Sequence, residues 1–533
     1  MDFRYKLRSF SPADTADALL ADIFPENGNG SGALIGAVGA PKVPWIAVVS
    51  HLQAIGTRSL LIQTGVSDPD FLEEHRAFYA KQHRPVSSVC VRVHAFSQEL
   101  VKPTQLDASP DVIAFLDSDE AQENYLGFVT IRPLRHAPVG ATILRPAANS
   151  IPTAIDKFPV HIAGNEFFVI GTPFLQQDNA VGACAQASIW MALRTLRRRV
   201  GNSAYSPAEL TVAATRYVAS ERTFPGRQGL TASQMLEAMR SAGHDPLYVS
   251  VRQAANAPAS ANSVIAKATP YTASGLPVIG ILLAPDGGHA VVAIGHTPCS
   301  TRVQPLPRQQ THLNTAIPYS MASDWISGLV IHNDNSGPYL PLLSGAPTSP
   351  RPYCLEHAFG LIVPLPEGVY TNAEEAEMLA VRAILFASVW FSMPAAGSQM
   401  QLPQVAYVLR PYLCTRHAFR HWAKNDPDLD PEVRNTYRTA TLPKVLWVIE
   451  IHEESLFDPT KPSIKSRCGE IVLDPAADAL HGDVMIFARV TKDLWPNINS
   501  FQGLLLIEDE KSVRSLALNS GNRCAALVEP WRN

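Results

Sequence analysis

The spacing of apolar residues predicts strands and one helix in the first part of the chain. Short runs rich in β-branched and aromatic residues are typical of strands. They occur at Trp45–Val49, Leu60–Gln63, Ser88–His94 and Phe128–Ile131. The segment Pro69–Gln82 has the apolar spacing of a helix. This mixture predicts an α+β domain over residues 1–150.

Helical periodicity opens the central block, residues 159–366. A helix is predicted to begin at or just after Cys184, because Ile189 and Leu193 recur at helical spacing after it. Ser206–Glu209 and Thr231–Gln234 have the sequence of capping boxes, in which a side chain at each end of the first turn bonds the other's backbone. Two further helices are therefore expected.

Strand periodicity follows in the same block. Apolar runs at Pro277–Leu283, Ala290–Gly295 and Leu329–Asn333 predict three strands, the first two joined by a short turn. Between the second and third runs, Thr297–Pro318 is rich in Pro, Gln and Thr and predicts a long surface loop. Helices followed by an antiparallel sheet form the α+β pattern of segregated elements.

The last block, residues 367–533, is predicted to be a second flanking α+β domain. Helices are expected near 372–392 and 404–422. The predicted strands are Val445–Ile451, Glu470–Leu473, Val484–Val490 and Leu504–Ile507.

One apolar run in this block raises the question of a membrane span. Met378–Met393 is 16 residues long and contains Arg382. A bilayer span needs about 20 apolar residues. Thr371–Glu374 before it reads as a capping box. We therefore expect a buried helix and no membrane span.

Composition narrows the class of protein. At about 100–200 residues per domain, a chain of 533 residues is expected to hold three domains, 1–150, 159–366 and 367–533. The net charge of -4 argues against a nucleic-acid binder. Seven dispersed cysteines do not resemble a disulfide framework, and the N-terminus lacks the apolar segment of a signal peptide. These features favour the cytoplasm.

Two residues of the central block could form a nucleophile and its base. Cys184 is placed at a helix start, where backbone N–H groups favour the thiolate. His289 follows two glycines at the start of an apolar strand, where a rigid sheet would hold the imidazole. Each has a plain alternative, an inert buried cysteine and a solvent-facing turn histidine.

Polar residues near these two could complete a site. A carboxylate or amide at the end of the next strand could orient the imidazole. Asp334 is ranked first for this role and Asn333 second, with Asn335 also in reach. An amide ahead of the cysteine could stabilise an oxyanion. Gln177 and Gln176 are the candidates, and the neighbouring Asp178 is not separated from them by spacing.

The order of these motifs resembles papain-like cysteine peptidases, most closely the C39-like group. The matching residues cover about 200 positions, and they are Gln177, Cys184, the stretch Gly229–Gly243, Pro277 with the Val-Ile after it, Gly288–Gly295 and Asp334. The chain departs from the group's pattern in having Ala185 after the cysteine and Asn335 after Asp334. The resemblance implies a papain-like domain with a Cys184–His289–Asp334 triad, acting on a peptide or protein.

The predicted function is a cysteine peptidase or related amide hydrolase that uses no metal and no cofactor. One alternative is a cysteine-dependent acyl or amine transferase on the same fold. Another is a catalytically silent papain-like scaffold that binds a partner protein. A possible metal group, Cys414 with His417 and His421, has arginines beside it and no evident fourth ligand. A plain helix is expected there.

Overall fold

The structure is a computed structural model, and it describes most of the chain. The described residues are 5–23, 43–83, 86–99, 109–134, 136–147, 151–178, 184–203, 205–217, 229–252, 257–284, 287–303, 308–312, 315–347, 352–392, 406–427, 429, 431–460, 466–477, 484–490, 503–509 and 512–517.

Strands and helices alternate irregularly in the N-terminal part. In chain order they are β1 (Tyr5–Ser9), α1 (Ala16–Ile23), α2 (Val43–Ala54), β2 (Ser59–Val66), α3 (Pro69–Ala77), β3 (Cys90–Phe96), α4 (Ser109–Leu116), α5 (Asp119–Glu123), β4 (Tyr125–Ile131), β5 (Val139–Leu144), β6 (Ile151–Pro152), β7 (Asp156–Ile162) and β8 (Asn165–Gly171).

The middle of the chain begins with helices and continues with strands. Its elements are α6 (Cys184–Val200), α7 (Pro207–Thr215), α8 (Ala232–Ser241), β9 (Asp245–Ser250), α9 (Ala261–Ala273), β10 (Val278–Ala284), β11 (Gly287–Pro298), β12 (Arg308–His312), β13 (Thr315–Met321), β14 (Ile326–Asn333), β15 (Gly337–Leu343) and β16 (Ala358–Leu365).

The C-terminal part combines helices with long strands. Its elements are α10 (Ala373–Ser392), β17 (Tyr407–Thr415), α11 (Arg416–Asn425), α12 (Pro431–Thr439), β18 (Val445–Glu453), β19 (Arg467–Leu473), β20 (Met485–Val490), β21 (Gly503–Asp509) and β22 (Ser512–Ala517). Across the described residues, no helix is both long and apolar enough to cross a bilayer.

The described strands form four sheets, in which antiparallel neighbours are frequent and β13 pairs with β17 in parallel. The first sheet has the order β1-β2-β3-β4-β5, and β7 pairs with β8 as a hairpin. The sheet that carries the candidate site has the order β15-β14-β11-β10-β16-β9, with β6 beside β11. The last sheet runs β12-β13-β17-β18-β19-β20-β21-β22, and its β13–β17 pairing is parallel. The chain is therefore an α+β protein, as predicted.

The chain divides into two compact units that do not follow the three sequence blocks. The first unit comprises Met1–Pro258, Pro277–Gly295 and Val330–Pro364, and the second comprises Ala259–Leu276, His296–Leu329 and Leu365–Asn533. The three predicted domains are continuous stretches of sequence, which this division into units does not test, and they stay a prediction.

One hydrophobic core runs through the first unit. Trp45 of α2 and Val129 of β4 belong to the same buried cluster as Trp190 of α6 and Ile279 of β10. Each of these side chains is at most 3 % exposed. The first sheet and the helix that begins at Cys184 are thus held by shared apolar burial, which contributes about 25 cal/mol for each Å² of apolar surface removed from water.

Three predicted elements are wrong. Trp45–Val49 was expected to be a strand but lies in α2, where Trp45, Val48 and Leu52 are buried at helical spacing. The predicted helix 404–422 is mostly the strand β17, and the helix begins at Arg416. The predicted loop Thr297–Pro318 contains β12 and the start of β13.

The predicted helix starts agree with the structure better than the assignment of segments to strands does. Capping boxes are present at Ser206–Glu209 and Thr231–Gln234. The box expected at Thr371–Glu374 lies one residue later, between Asn372 and Glu375, whose side chains each bond the other's backbone N–H at 2.9 Å. Local side-chain chemistry is enough to set such a start, because it satisfies N–H groups that the helix leaves open.

The second unit contains buried charges that the pattern of apolar residues did not predict. Arg410, Glu450, Glu470 and Arg489 lie opposite one another on neighbouring strands β17 to β20 and are called the charged row below. Both glutamates and Arg489 are fully buried. Arg467 bridges the two glutamates, at 2.8 Å from Glu450 and 3.1 Å from Glu470.

Candidate active site

Cys184 is the first residue of α6, as predicted. Its side chain is partly exposed, while Ala185 and Ile189 behind it are buried. Ala185 and Ile189 pack in the same core as Ile279 of β10 and Val292 of β11. The apolar face of the helix therefore sets the start of α6 against the sheet, and the thiol lies at its edge.

His289 lies near the start of β11, also as predicted. In the β10–β11 pairing it is opposite Leu282. The glycine two residues before it, Gly287, has a φ of +129°, which a residue with a side chain rarely adopts. The buried strand that follows fixes the backbone, so the imidazole, 5 % exposed, is held on a rigid element.

The thiol meets the backbone of β11 beside this histidine. The amide N–H of Ala290 donates a hydrogen bond to Sγ of Cys184 at 3.3 Å. Ala290 is the residue directly after His289. The fold thus brings the two residues singled out by the sequence, 105 positions apart in the chain, to the same edge of one sheet.

Asn333 at the end of β14 fixes the orientation of the imidazole. Its Oδ1 accepts a hydrogen bond from the backbone N–H of Asn335 at 3.0 Å and lies 3.1 Å from Nε2 of His289. Because the amide oxygen of Asn333 can only accept, a neutral His289 imidazole must carry its proton on Nε2 to bond it. Nδ1 is then unprotonated and able to act as a base.

Asp334 lies next to the same imidazole but makes a weaker contact. Its Oδ1 is 3.4 Å from Nε2 of His289, and neither carboxylate oxygen has a hydrogen bond of good geometry within the described residues. The side chain is fully buried. The geometry therefore favours Asn333 as the orienting group and Asp334 as a nearby charge, the reverse of the order in which the sequence ranks them.

Tyr353 is a site residue that the sequence did not reveal. Its ring stacks on the imidazole of His289 with centroids 4.7 Å apart and planes 14° from parallel. The stack covers one face of the ring that makes the Asn333 bond. No local signal marks this tyrosine, because its place beside His289 depends on residues that are distant from each other in the chain.

Burial, followed by the negative charge of Asp334, raises the pKa of Cys184 to about 12. The N–H of Ala290 and the amides at the start of α6 lower it, but by less. The helix start was expected to favour the thiolate, and in the resting site that effect is outweighed by desolvation. A thiolate at this position needs a cation beside it, which protonation of His289 would supply.

The three polar residues ahead of Cys184 have different surroundings. Oε1 of Gln176 accepts from the backbone N–H of Val139 at 3.0 Å, so this side chain is engaged in the scaffold. Asp178 is buried and accepts from His136 Nε2 at 2.8 Å. Gln177 is partly exposed. Residues 179–183, which connect them to the cysteine, lie outside the described residues.

The sequence predicted that Cys414, His417 and His421 lie on one plain helix, but the structure places them on two elements. Cys414 is a buried residue of strand β17, while His417 and His421 lie on α11. Among the residues that the structure describes, no group of three or more His, Cys, Asp or Glu side chains is arranged to hold a metal ion.

The charge of Asp334 gives a prediction about stability. Burial raises the pKa of this carboxyl to about 6, although His289 and the N–H groups of Asp334 and Asn335 lower it. An unfolded chain has an Asp pKa of about 3.9. Since the folded value is the higher one, the associated stability is present below about pH 4 and lost as pH rises through 6. Asp334→Asn is therefore expected to raise the free energy of unfolding at pH 8 by roughly 1–3 kcal/mol.

Denaturant unfolding at pH 8 and pH 4 measures this effect. The gain should become small at pH 4, where the carboxyl is protonated in the folded chain and about half protonated in the unfolded chain. The exposed Asp245→Asn is the matched control and should change neither value. A loss of stability in Asp334→Asn at pH 8 would contradict the inference that burial disfavours this charge more than its neighbours stabilise it.

Comparison with known proteins adds no family to this description. A scan against models of protein families gives no match, and a search of curated proteins gives none either. The arrangement of Cys184, His289 and Asn333 is therefore the basis for a functional proposal.

Proposed function

We propose that the chain is a cysteine hydrolase of amide bonds with a papain-like first unit, in which Cys184 is the nucleophile and His289 its base. The observation that carries the proposal is the contact of His289 Nε2 with Asn333 Oδ1, 3.1 Å, in a site where Sγ of Cys184 binds the adjacent Ala290 N–H. A base, an orienting group and a thiol are the parts that such a mechanism needs.

Acylation of the cysteine is the first half of the reaction. Sγ of Cys184 forms a bond to the carbonyl carbon of the amide while its proton passes to Nδ1 of His289. Collapse of the tetrahedral intermediate breaks the C–N bond, and the imidazolium gives its proton to the leaving amine. Asp334 stabilises the imidazolium while it exists. The product is a thioester on Cys184.

Hydrolysis of the thioester completes the cycle. Water attacks the acyl carbon and gives a proton to His289, the C–S bond breaks, and the proton returns to the sulfur. Gln177 is the preferred oxyanion donor, since the side-chain oxygen of Gln176 is bound to Val139. Together with the backbone N–H of Cys184, it would lie on the developing negative charge.

The raised pKa of Cys184 is compatible with this order of events. A resting thiol is inert until its proton can move to His289, so reaction begins when a substrate is in place. The order of elements, a helix that begins with the cysteine before an antiparallel sheet that carries His289 and Asn333, also supports the resemblance to papain-like peptidases.

Covalent labelling tests the proposal directly. The full chain is treated at neutral pH with peptidyl vinyl sulfones, which alkylate a cysteine that can bind a peptide beside a base, and the modified residue is identified by mass spectrometry. We expect modification of Cys184 and none in Cys184→Ala. The partly exposed Cys299 is the internal reference, since iodoacetamide should reach it in both proteins.

The same reagents separate the alternatives. If no peptidyl probe modifies Cys184 while Cys299 reacts with iodoacetamide, the hydrolase proposal fails and a silent scaffold is favoured. If Cys184 is modified, peptide turnover is measured with and without propylamine. Release of free acid supports hydrolysis, and accumulation of the propylamide identifies a transferase.

A further inference from the structure

A cavity of about 590 Å³ opens in the first unit, away from the thiol. It lies between α6, the start of α3 and the strands β3 to β5 and β7. Small-molecule sites typically have volumes of about 300–1,000 Å³. Trp190, Arg194 and Arg197 contribute to its wall from one face of α6, since they are spaced four and three residues apart.

Three arginines and two aspartates give this cavity its charge. Arg92 pairs with Asp68 at 3.0 Å and Arg194 pairs with Asp70 at 2.5 Å. The third cation, Arg197, is exposed and makes no ion pair with a described residue. Each aspartate pairs with one arginine, so the side chains that line the cavity carry one net positive charge.

A second donor in the cavity wall also lacks a partner. Nε of Arg194 is buried and has no hydrogen-bond acceptor within the described part of the chain. The other side of this guanidinium is fixed by Asp70, which also accepts from Nε1 of Trp190 at 3.1 Å. A buried donor without an acceptor is destabilising, and a bound anion would supply the acceptor.

The remaining wall is apolar and includes two aromatic rings. Phe128, Phe158, Ile143 and Pro173 line it, and the guanidinium of Arg92 lies over the Phe128 ring at 4.7 Å from its centroid. Concave, mostly apolar and aromatic linings with a few polar groups are typical of sites for small organic ligands. The polar end here is cationic.

We infer that this cavity, lined by Arg194, Arg197 and Phe158, binds a small organic anion with a flat apolar body. The anionic group, a carboxylate or a phosphate, pairs with Arg197 and accepts from Nε of Arg194, and the body lies against Phe158 and Phe128. At a rise of about 1.5 Å per residue, Trp190 is roughly 9 Å along α6 from Cys184. The ligand therefore contacts the helix that begins with the thiol, without occupying the thiol site.

Two fluorescent probes that differ by one charge test this inference on the full chain. 1-Anilinonaphthalene-8-sulfonate has a naphthalene body and a sulfonate, and N-phenyl-1-naphthylamine is the same body without the charge. We expect the sulfonate probe to bind one site per chain, at least fivefold more tightly than the neutral one. Displacement by 1-naphthoate and by 1-naphthyl phosphate then shows which anion is preferred, while neutral 1-naphthamide should displace poorly.

Three variants locate the bound probe. Arg197→Ala is expected to weaken the sulfonate probe at least fivefold and to leave the neutral probe unchanged, whereas Phe158→Ala should weaken both. Arg240→Ala, an exposed arginine at the end of α8 outside the cavity, is the matched control and should change neither. Equal losses in Arg197→Ala and Arg240→Ala, or none in either, would overturn the inference. The measurement does not depend on turnover, so it can fail while the hydrolase proposal stands.

Discussion

Removal of the imidazole in His289→Ala is expected to slow modification of Cys184 by a peptidyl vinyl sulfone by about 10²–10⁴-fold, the range that a positioned acid–base group contributes. The physical reason is the pKa of the thiol, which burial raises to about 12. Without a base beside it, almost none of the sulfur is in the reactive form at neutral pH. The rate of labelling at saturating probe, followed by mass spectrometry, measures the effect.

The fold should tolerate this substitution. Oδ1 of Asn333 keeps its hydrogen bond from the N–H of Asn335, and the buried Asp334 loses a neighbour at 3.4 Å but no hydrogen bond of good geometry. His161→Ala, an exposed histidine of β7, is the control and should label like the wild type. Equal rates in His289→Ala and His161→Ala would show that Cys184 reacts without help from the imidazole, and the proposed pair would be rejected.

The sequence predicted which residues meet in the candidate site better than it predicted the geometry between them. Cys184 and His289 could be singled out because a helix start and a strand start are local features with clear sequence signals. The choice between Asn333 and Asp334 could not be made in this way. The side chains of adjacent residues point in different directions, which the sequence does not show. Here the hydrogen bond from the backbone N–H of Asn335 to Oδ1 of Asn333 decides which of the two side chains orients the imidazole.

The wrong assignment of a strand came from too short a stretch of the apolar pattern. Trp45–Val49 resembles a strand by composition, but the burial of Leu52 seven residues after Trp45 shows the helical period. Tyr353 and the cavity arginines depend on segments distant in the chain, for which a single sequence gives no signal. The same holds for the charged row. Three of its members lie in predicted strands and Arg410 lies in a predicted helix, and their pairing depends on the register of the strands.

The charged row carries the largest stability prediction. Glu450 and Glu470 lie directly opposite each other on β18 and β19, and like charges in that position repel. Arg467 reaches both of them, and all three side chains are at most 1 % exposed. Removal of one partner from a buried ion network costs about 3–5 kcal/mol. Without Arg467 the facing carboxylates of Glu450 and Glu470 lose the cation between them, although Arg410 and Arg489 still pair with one glutamate each.

Arg467→Met is therefore expected to lower the stability of the β18–β19 region by about 3–5 kcal/mol. Amide hydrogen exchange of Val445–Glu453 and Arg467–Leu473 measures it, with the first sheet of the same chain as an internal reference. Arg302→Met is the matched control, because the Arg302–Glu454 pair of the same unit, at 2.9 Å, has side chains 21 % and 23 % exposed. A pair of that kind contributes about 0–1 kcal/mol.

The pH dependence of the wild type provides an independent check. Burial opposes ionisation of Glu470, but Arg489 and Arg467 outweigh it and lower its pKa to about 2, and the pKa of Glu450 is lowered as well. An unfolded Glu has a pKa of about 4.3. Since the folded values are lower, this stability is present above about pH 4 and lost as pH falls towards 2. Arg467→Met should flatten that loss, because one of the cations that hold the carboxylates ionised is gone. If Arg467→Met and Arg302→Met cost the same, or if exchange in β18 is unchanged, Arg467 does not stabilise this sheet through its charge.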